Sequence, residues 1–180
     1  MAEVEIPSTS PDNRKMAGKE EIIDELKRQG YDIEVFEHPE VFTVETMMPY
    51  VGHLPGVHTK NFFLKDKKKK GLWLMTVKHD REVNLGKISK EVGAPGGLRF
   101  ADESIMLDKI GVGQGCVTPI ALYNDKNKDV KFILDSDIIN GGHERMYCHP
   151  MVNSATIGIK PEDFKSFIES TGHSPILLNF

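Results

Sequence analysis

The stretch HTKNFFLKDKKKKGLWLMTV (residues 58–77) contains two apolar runs separated by a basic segment that ends in glycine. The runs at 61–64 and 72–77 are rich in aromatic and apolar residues, which favour strands. The intervening segment 65–71 carries five lysines and Gly71, a composition typical of an exposed turn. We therefore expect a β-hairpin with a basic tip. Lys60 and Asn61 should then stand at the start of its first strand.

Apolar periodicity on both sides of the hairpin predicts a mixture of helices and strands. Helices are expected at 20–29, 43–48, 85–92, 101–110 and 161–172, and strands at 31–36, 98–100, 120–123, 130–134, 146–148, 156–159 and 175–180. The two types do not alternate strictly, as they would in a βαβ protein. This order favours an α+β fold with a mixed, mainly antiparallel sheet.

Composition limits the classes of protein to consider. Apolar residues make up 39% and charged residues 28%, as in globular domains, and the net charge of −4 argues against nucleic-acid binding through overall charge. The chain lacks an apolar run of about 20 residues, which a membrane span would need. Two cysteines, Cys116 and Cys148, are too few for a disulfide scaffold and favour a cytoplasmic location. Residues 1–17 are rich in Ser, Pro and Asp and are expected to form a flexible tail before one domain, 18–180.

Polar residues without an evident folding role occur at four places: Lys60-Asn61, the glycine-rich segment 111–119, His143, and the segment 149–153. A zinc site is disfavoured because neither CxxC nor HExxH spacing is present. Cys116 as a nucleophile with His149 as its base is a second possibility, although a small buried thiol is the commoner fate of cysteine. The glycines at 111, 113 and 115 lack phosphate-loop spacing, but closely spaced glycines expose backbone N–H groups that can hold an oxyanion.

Three stretches in this order and spacing, 58–77, GVGQGCVTPIAL (111–122) and CHPMVNSATIGI (148–159), make the chain resemble the YbaK/prolyl-tRNA synthetase editing-domain superfamily. The resemblance runs from about residue 19 to the C-terminus and is strongest to freestanding members that deacylate alanyl-tRNA(Pro). The family carries a strand lysine followed in this branch by asparagine, a GxxxP loop, and His-Pro with downstream Asn and Ala-Thr. The matching positions are Lys60, Asn61, Gly115, Pro119, His149, Pro150, Asn153, Ala155 and Thr156. One departure is Gln114-Gly115-Cys116, where many relatives have Pro-Gly-Ser.

The resemblance implies a mixed sheet curled toward a barrel and flanked by helices. It implies hydrolysis of the ester that joins alanine to the terminal adenosine of tRNA(Pro), with Pro-tRNA(Pro) spared. No metal or organic cofactor is expected. The implied partner is the acceptor end of mischarged tRNA(Pro), prolyl-tRNA synthetase or an elongation factor stays open as a further partner, and no membrane is involved.

Roles can be assigned to the matching residues from the chemistry of ester hydrolysis. Lys60 would pair with the terminal phosphate, Asn61 would donate to the ester carbonyl or the ribose, and backbone N–H groups near Gly115 would hold the oxyanion. His149 would bind the α-amine or orient the attacking group. The predicted substrate-binding residues are Phe42, Val44, Met47, Met48, Gly113, Thr118, Pro119 and Asn153, of which the first four would form an apolar sieve. The predicted tRNA contacts are Lys67, Lys68, Lys69, Lys70 and Arg81.

Two alternatives stay open from the sequence. The chain is either a deacylase or a non-catalytic module that binds aminoacyl-tRNA or a synthetase. If it is a deacylase, its substrate is alanine or another small mischarged amino acid such as serine or cysteine.

Overall fold

The computed structural model describes residues 16–68 and 71–180. The described helices are α1 (Lys19–Arg28), α2 (Val44–Val51), α3 (Leu85–Val92), α4 (Glu103–Ile110), α5 (Ser136–Asn140) and α6 (Pro161–Ser170), with a 3₁₀ helix at Pro119–Asn124. The described strands are β1 (Ile33–Glu37), β2 (Val57–Asp66), β3 (Leu72–Lys78), β4 (Leu98–Phe100), β5 (Val130–Asp135), β6 (Met146–Cys148), β7 (Ala155–Ile159) and β8 (Ile176–Leu178).

The strands form one mixed sheet in the order β1-β7-β6-β2-β3-β5-β8, with β4 also paired to β2. The pairs β1–β7, β6–β7, β2–β3 and β2–β4 are antiparallel, whereas β2–β6, β3–β5 and β5–β8 are parallel. The predicted α+β class with a mixed sheet is confirmed. The sheet stays open rather than closing into a barrel, since β1 and β8 end the order and do not pair with each other in the described part of the chain.

The predicted hairpin is confirmed, but its first strand begins earlier than expected. β2 and β3 pair in register from Thr59↔Lys78 to Lys65↔Leu72. β2 starts at Val57, so Lys60 and Asn61 lie inside the strand and not at its start. The added residues are held by parallel pairing with β6, a contact distant in sequence that the local pattern does not reveal.

The two faces of the sheet are covered separately. Phe63, Leu74 and Phe132 face the main core, which includes the buried sides of α1, α4 and α6. Leu64, Met75 and Ile133 alternate with them and face a second core covered by α3. This alternation follows from the period of two along a strand.

Two local predictions need correction. Residues 120–123 were expected to form a strand and instead form the 3₁₀ helix, because the Thr118 hydroxyl accepts from the Ile120 amide and Pro119 occupies the first helical position. A short, fully buried apolar run has no periodicity that separates the two structures. α5 was not predicted; it is only five residues long and is capped by Asp135, whose side chain accepts from the Asp137 amide.

Of the predicted tail at residues 1–17, residues 1–15 lie outside the described part of the chain. The last residue of this tail, Ala17, donates its amide to Asn124 Oδ1 at 2.8 Å. No helix in the described ranges is long and apolar enough to cross a membrane.

A buried hydrogen-bonded pair links the chain after the 3₁₀ helix to the segment after α6. His173 Nε2 lies 2.9 Å from Asp125 Oδ2, and both side chains are almost fully buried. Burial by itself raises the pKa of Asp125, but hydrogen bonds from His173 and from the amides of Val130 and Asp129 outweigh it and lower the pKa. The stability that the pair contributes is therefore present above the unfolded-state pKa and is lost as the pH falls through the folded-state pKa.

We expect Asp125→Asn to lower the free energy of unfolding by about 3 kcal/mol, because it leaves a buried partner uncompensated. The matched control is Asp129→Asn, whose exposed pair with Lys109 at 3.0 Å should be worth below about 1 kcal/mol. Urea unfolding monitored by circular dichroism at neutral pH measures both. An equal loss in the free energy of unfolding for the two variants would show that the buried pair contributes no more stability than the exposed one.

Candidate functional site

One cavity of about 290 Å³ lies where β2, β6 and β7 meet α2 and the segment 114–117. Ligand sites in proteins typically start at about this volume. The predicted residues that line it are Phe42, Val44, Met47, Lys60, Asn61, Gly115 and His149. The structure therefore brings together residues from four distant parts of the sequence.

Five predicted substrate-binding residues lie outside the lining. Met48, also in α2, packs against the small core cluster of Val41, Met47 and Val51. Thr118 and Pro119 are buried, and Thr118 caps the 3₁₀ helix. Gly113 and Asn153 are close to Gly115 but do not line the cavity. The Gly113 carbonyl accepts from the Cys116 amide, and Asn153 Nδ2 is buried without a hydrogen-bond partner in the described chain. Whether these five touch a substrate stays a prediction.

β2 contributes a cation and an amide to the cavity. Lys60 is half-buried, and its ammonium donates to the Arg81 carbonyl oxygen at 2.6 Å. An ammonium has three N–H donors, and the described chain holds only one of these. Asn61 Oδ1 accepts from Thr76 Oγ1 at 2.5 Å, so its Nδ2 is the polar group left for a ligand. Because both side chains are fixed by the sheet or its flanking loop, their donors are held in place.

Gly115 has a backbone that only glycine adopts readily. Its φ is +83°, and a Cβ added to it would lie 2.7 Å from Phe42 Cδ1. The amide of Gln114 donates to Glu103 Oε2 and that of Cys116 to the Gly113 carbonyl. The Gly115 N–H has no acceptor in the described chain, and Gly115 lines the cavity, so this N–H is a candidate donor to a developing oxyanion.

His149 presents an acceptor to the cavity. Its Nδ1 lies 3.0 Å from the Ala155 carbonyl oxygen, which can only accept, so Nδ1 carries the proton. Burial lowers the pKa of His149, which the Ala155 hydrogen bond opposes and the nearby His38 reinforces. The ring is therefore neutral at pH 7, and Nε2 offers a lone pair.

Two polar residues of the site escaped sequence reasoning as functional side chains. His38 Nε2 lies 2.9 Å from Oγ1 of Thr156, which lines the cavity next to His149. Thr156 was part of the matched motif but received no role. His38 has no local signal, since it lies in an irregular segment and reaches Thr156 only through the β1–β7 pairing.

The remaining lining is largely apolar. Phe42 is 65% exposed and covers Gly115, while Phe100 is 62% exposed and packs at 6.0 Å from Phe62. Val44, Met47 and Met106 continue the wall. No Asp or Glu occurs among the described lining residues, so a cationic ligand group must be met by neutral acceptors.

Neither cysteine is placed to act as a thiolate. Burial raises the pKa of Cys148 to about 12, although a hydrogen bond from Thr118 opposes this, and burial also raises the pKa of Cys116. His143 lies apart from the cavity lining and bonds Asp137 at 3.0 Å. Within the described residues, no group of three or more His, Cys, Asp or Glu side chains could hold a metal ion.

The predicted tRNA contacts differ in exposure and in whether the side chain already has a partner. Lys67 and Lys68 are exposed at the hairpin tip, whereas Lys69 and Lys70 lie outside the described residues. Arg81 is already engaged, because its Nε lies 2.8 Å from Oδ2 of the buried Asp135. Its role as a tRNA contact stays a prediction.

Comparison with known proteins identifies the family. The profile of the aminoacyl-tRNA editing domain matches residues 38–167, which contain the whole cavity lining. The chain belongs to the aminoacyl-tRNA editing domain family. A bovine relative, prolyl-tRNA synthetase associated domain-containing protein 1, is 62% identical over 148 residues, covering 82% of this chain and 86% of the relative.

More distant members of the editing-domain family match nearly the full length. The prolyl-tRNA editing protein ProX of Acetoanaerobium sticklandii is 26% identical over 159 residues, or 88% of this chain and 95% of that protein. A solved structure described as a candidate trans-editing enzyme for prolyl-tRNA synthetase has a TM-score of 0.68 at 23% identity, covering 96% of this chain and 99% of that one. The fold is thus that of this structure, and the relatives support a function of the prolyl-tRNA editing type.

We expect Cys148 to resist alkylation by iodoacetamide in the folded protein at pH 7.5, because a thiol with a pKa of about 12 is almost wholly protonated. It should react only after unfolding in guanidinium chloride, as measured by mass spectrometry of the peptides. Free cysteine under the same conditions is the control. Rapid labelling of Cys148 in the folded protein would contradict this prediction and would favour a mechanism with a thiolate nucleophile.

Proposed function

We propose that this protein is a trans-editing deacylase that hydrolyses mischarged Ala-tRNA(Pro) and spares Pro-tRNA(Pro). The observation that carries the proposal is that one cavity is lined both by donors, at Lys60, Asn61 and Gly115, and by a neutral acceptor, at His149. An aminoacyl ester fits this lining, because its carbonyl oxygen gains negative charge and needs donors, while its α-amine or its attacking water needs an acceptor.

The reaction needs no protein nucleophile. Water attacks the carbonyl carbon, the carbonyl electron pair moves to the oxygen, and the oxyanion is held by the Gly115 N–H and Asn61 Nδ2. The carbon–oxygen bond to the ribose then breaks, and the proton that the attacking water gives up passes to the ribose oxygen, which leaves as a hydroxyl. The products are free alanine and tRNA(Pro). The protonated thiols of Cys116 and Cys148 are consistent with direct attack by water.

Lys60 is proposed to bind the phosphate of the terminal nucleotide. Its ammonium is tethered by the Arg81 carbonyl, which leaves two donors for phosphate oxygens. The Arg81 side chain is in turn bound to the buried Asp135, so the carbonyl group that accepts from Lys60 belongs to a residue that is itself held in place. Lys60 thereby sets the distance between the tRNA end and the donors for the ester.

Selectivity is proposed to come from a second sieve. A synthetase pocket built for proline discriminates weakly against alanine, because each missing methylene is worth only about 1–3 kcal/mol. In this cavity Phe42, Val44 and Met47 would form the wall against the amino-acid side chain, with the buried Met47 backed by Val51. Serine and cysteine are small enough to share the site and remain the rival substrates.

The acceptor stem is proposed to contact the hairpin tip. Lys67 directly follows the end of β2 and is seven residues from Lys60, a separation of at most roughly 23 Å at strand spacing. Exposed Lys67 and Lys68 could therefore meet backbone phosphates well beyond the terminal nucleotide, with Lys69 and Lys70 adjacent in sequence. Such contacts strengthen binding without reading sequence. A cytoplasmic location, for which the two free thiols are the support, is part of the same proposal.

We expect Lys60→Met to reduce deacylation of Ala-tRNA(Pro) by roughly 100-fold while lowering the melting temperature by only a few degrees, because a partly exposed ammonium with one hydrogen bond adds little stability. Lys65→Met, in the same strand and 3.9 Å from Asp102, is the matched control and should keep full activity. Single-turnover hydrolysis of radiolabelled Ala-tRNA(Pro) provides the rate.

Two results would count against this proposal. Equal activity of the Lys60 and Lys65 variants would remove Lys60 from the mechanism. Wild-type protein that binds Ala-tRNA(Pro) but hydrolyses no aminoacyl ester would instead favour a non-catalytic binding module.

A further inference from the structure

Thr156 and His38 form a hydrogen-bonded pair at one end of the cavity that the proposed hydrolysis does not use. Thr156 Oγ1 lies 2.9 Å from His38 Nε2, and His38 Nδ1 lies 2.9 Å from the Pro39 carbonyl oxygen. The His38 ring also stacks on Tyr50, with centroids 5.8 Å apart and planes at 13°. The imidazole is therefore fixed in both position and plane.

The positions of the protons follow from which partner can donate. The Pro39 carbonyl can only accept, so Nδ1 of His38 carries a proton, and in the neutral ring Nε2 is an acceptor. The Thr156 hydroxyl then donates its single proton to Nε2. With that proton committed, the oxygen of Thr156 can act toward the cavity only as an acceptor.

His149 is also held as a hydrogen-bond acceptor by a backbone carbonyl. The Ala155 carbonyl holds its Nδ1 proton, which leaves Nε2 as an acceptor with no partner in the described chain. The rings of His38 and His149 are 6.5 Å apart, Thr156 bonds His38, and both Thr156 and His149 line the cavity. Two neutral acceptors thus converge at the end of the cavity formed by β6 and β7, in a lining where no described residue is a carboxylate.

A ligand group that fits two acceptors is a donor with several N–H bonds. In an aminoacyl ester this is the α-ammonium, which stands one carbon from the carbonyl that the Gly115 N–H and Asn61 would hold. We infer that Thr156 Oγ1 and His149 Nε2 together bind the α-ammonium of the aminoacyl ester, and that His38 is the positioning residue that keeps Thr156 an acceptor. This inference rests on the proposed function and adds that the enzyme requires a free α-amine.

The experiment compares alanyl-tRNA(Pro) with lactyl-tRNA(Pro), in which a hydroxyl of similar size replaces the ammonium. Each single-turnover rate is divided by the spontaneous hydrolysis rate of the same ester, which removes the difference in intrinsic reactivity. The proteins are wild type, Thr156→Val, which removes the hydroxyl at nearly constant volume, and Thr156→Ser, which keeps it. His38→Phe keeps the ring against Tyr50 but removes the acceptor nitrogen, and circular dichroism checks that each variant is folded.

We expect wild type to prefer the alanyl ester by about 10-fold or more, since hydrogen bonds to a charged group are the stronger kind. Thr156→Val should lose most of this preference by slowing only the alanyl ester, Thr156→Ser should keep it, and His38→Phe should reduce it partway.

Three outcomes would overturn the inference. Equal normalised rates for both esters with wild type would show that no ammonium subsite exists, while the deacylase proposal would stand. Equal slowing of both esters by Thr156→Val would mean that Thr156 acts on the ester group itself. Absence of any wild-type hydrolysis of alanyl-tRNA(Pro) would remove the proposed function, and the inference with it.

Discussion

The parallel pairing of β2 with β6 is the contact on which the site depends. Val57 and His58 pair with Met146 and Tyr147, and the Thr59 hydroxyl extends the junction by donating to the Tyr147 carbonyl at 2.6 Å. Lys60 and Asn61 follow directly on one strand, and His149 follows directly on the other. This pairing therefore fixes the backbones that carry Lys60, Asn61 and His149 relative to one another, and such fixed backbones give a site precise geometry.

The glycine loop completes the site through the absence of a side chain. Gly115 brings its N–H into the lining while Phe42 closes over it, and a Cβ there would collide with that ring. The same cavity thus combines a free backbone donor with an aromatic cover. The proposed substrate is an activated ester, which needs only a positioned water and a donor for its oxyanion, so the proposal is compatible with a neutral His149 and with protonated thiols.

Much of the fold could be predicted from sequence because its strongest signals are local. Capping by Thr43 and Asn84, proline at the first position of α6 and the basic turn after β2 are all visible in short windows. The true start of β2 could not be predicted, since β6 creates it from far along the chain. The 3₁₀ helix and α5 are too short or too buried to show a period.

The residues around the cavity could likewise be predicted only where a short stretch of sequence carries the signal. Lys60, Asn61, Gly115 and His149 stand in matched motifs, and the structure places them around one cavity. His38 has no motif, because its contact with Thr156 exists only after β1 and β7 pair. Gly113, Thr118, Pro119 and Asn153 adjoin motif residues in sequence, yet they lie behind the lining, because the loop curls so that neighbouring residues face different surroundings.

The most direct measurement is single-turnover hydrolysis of Ala-tRNA(Pro) beside Pro-tRNA(Pro) by the wild-type protein, with Ser-tRNA(Pro) and Cys-tRNA(Pro) as rival substrates. The proposed function predicts fast loss of alanine, at least about 100-fold above that of proline, because a second sieve must separate the two more sharply than a synthetase pocket does. Comparable rates for alanine and proline, or a faster rate for serine or cysteine than for alanine, would contradict it.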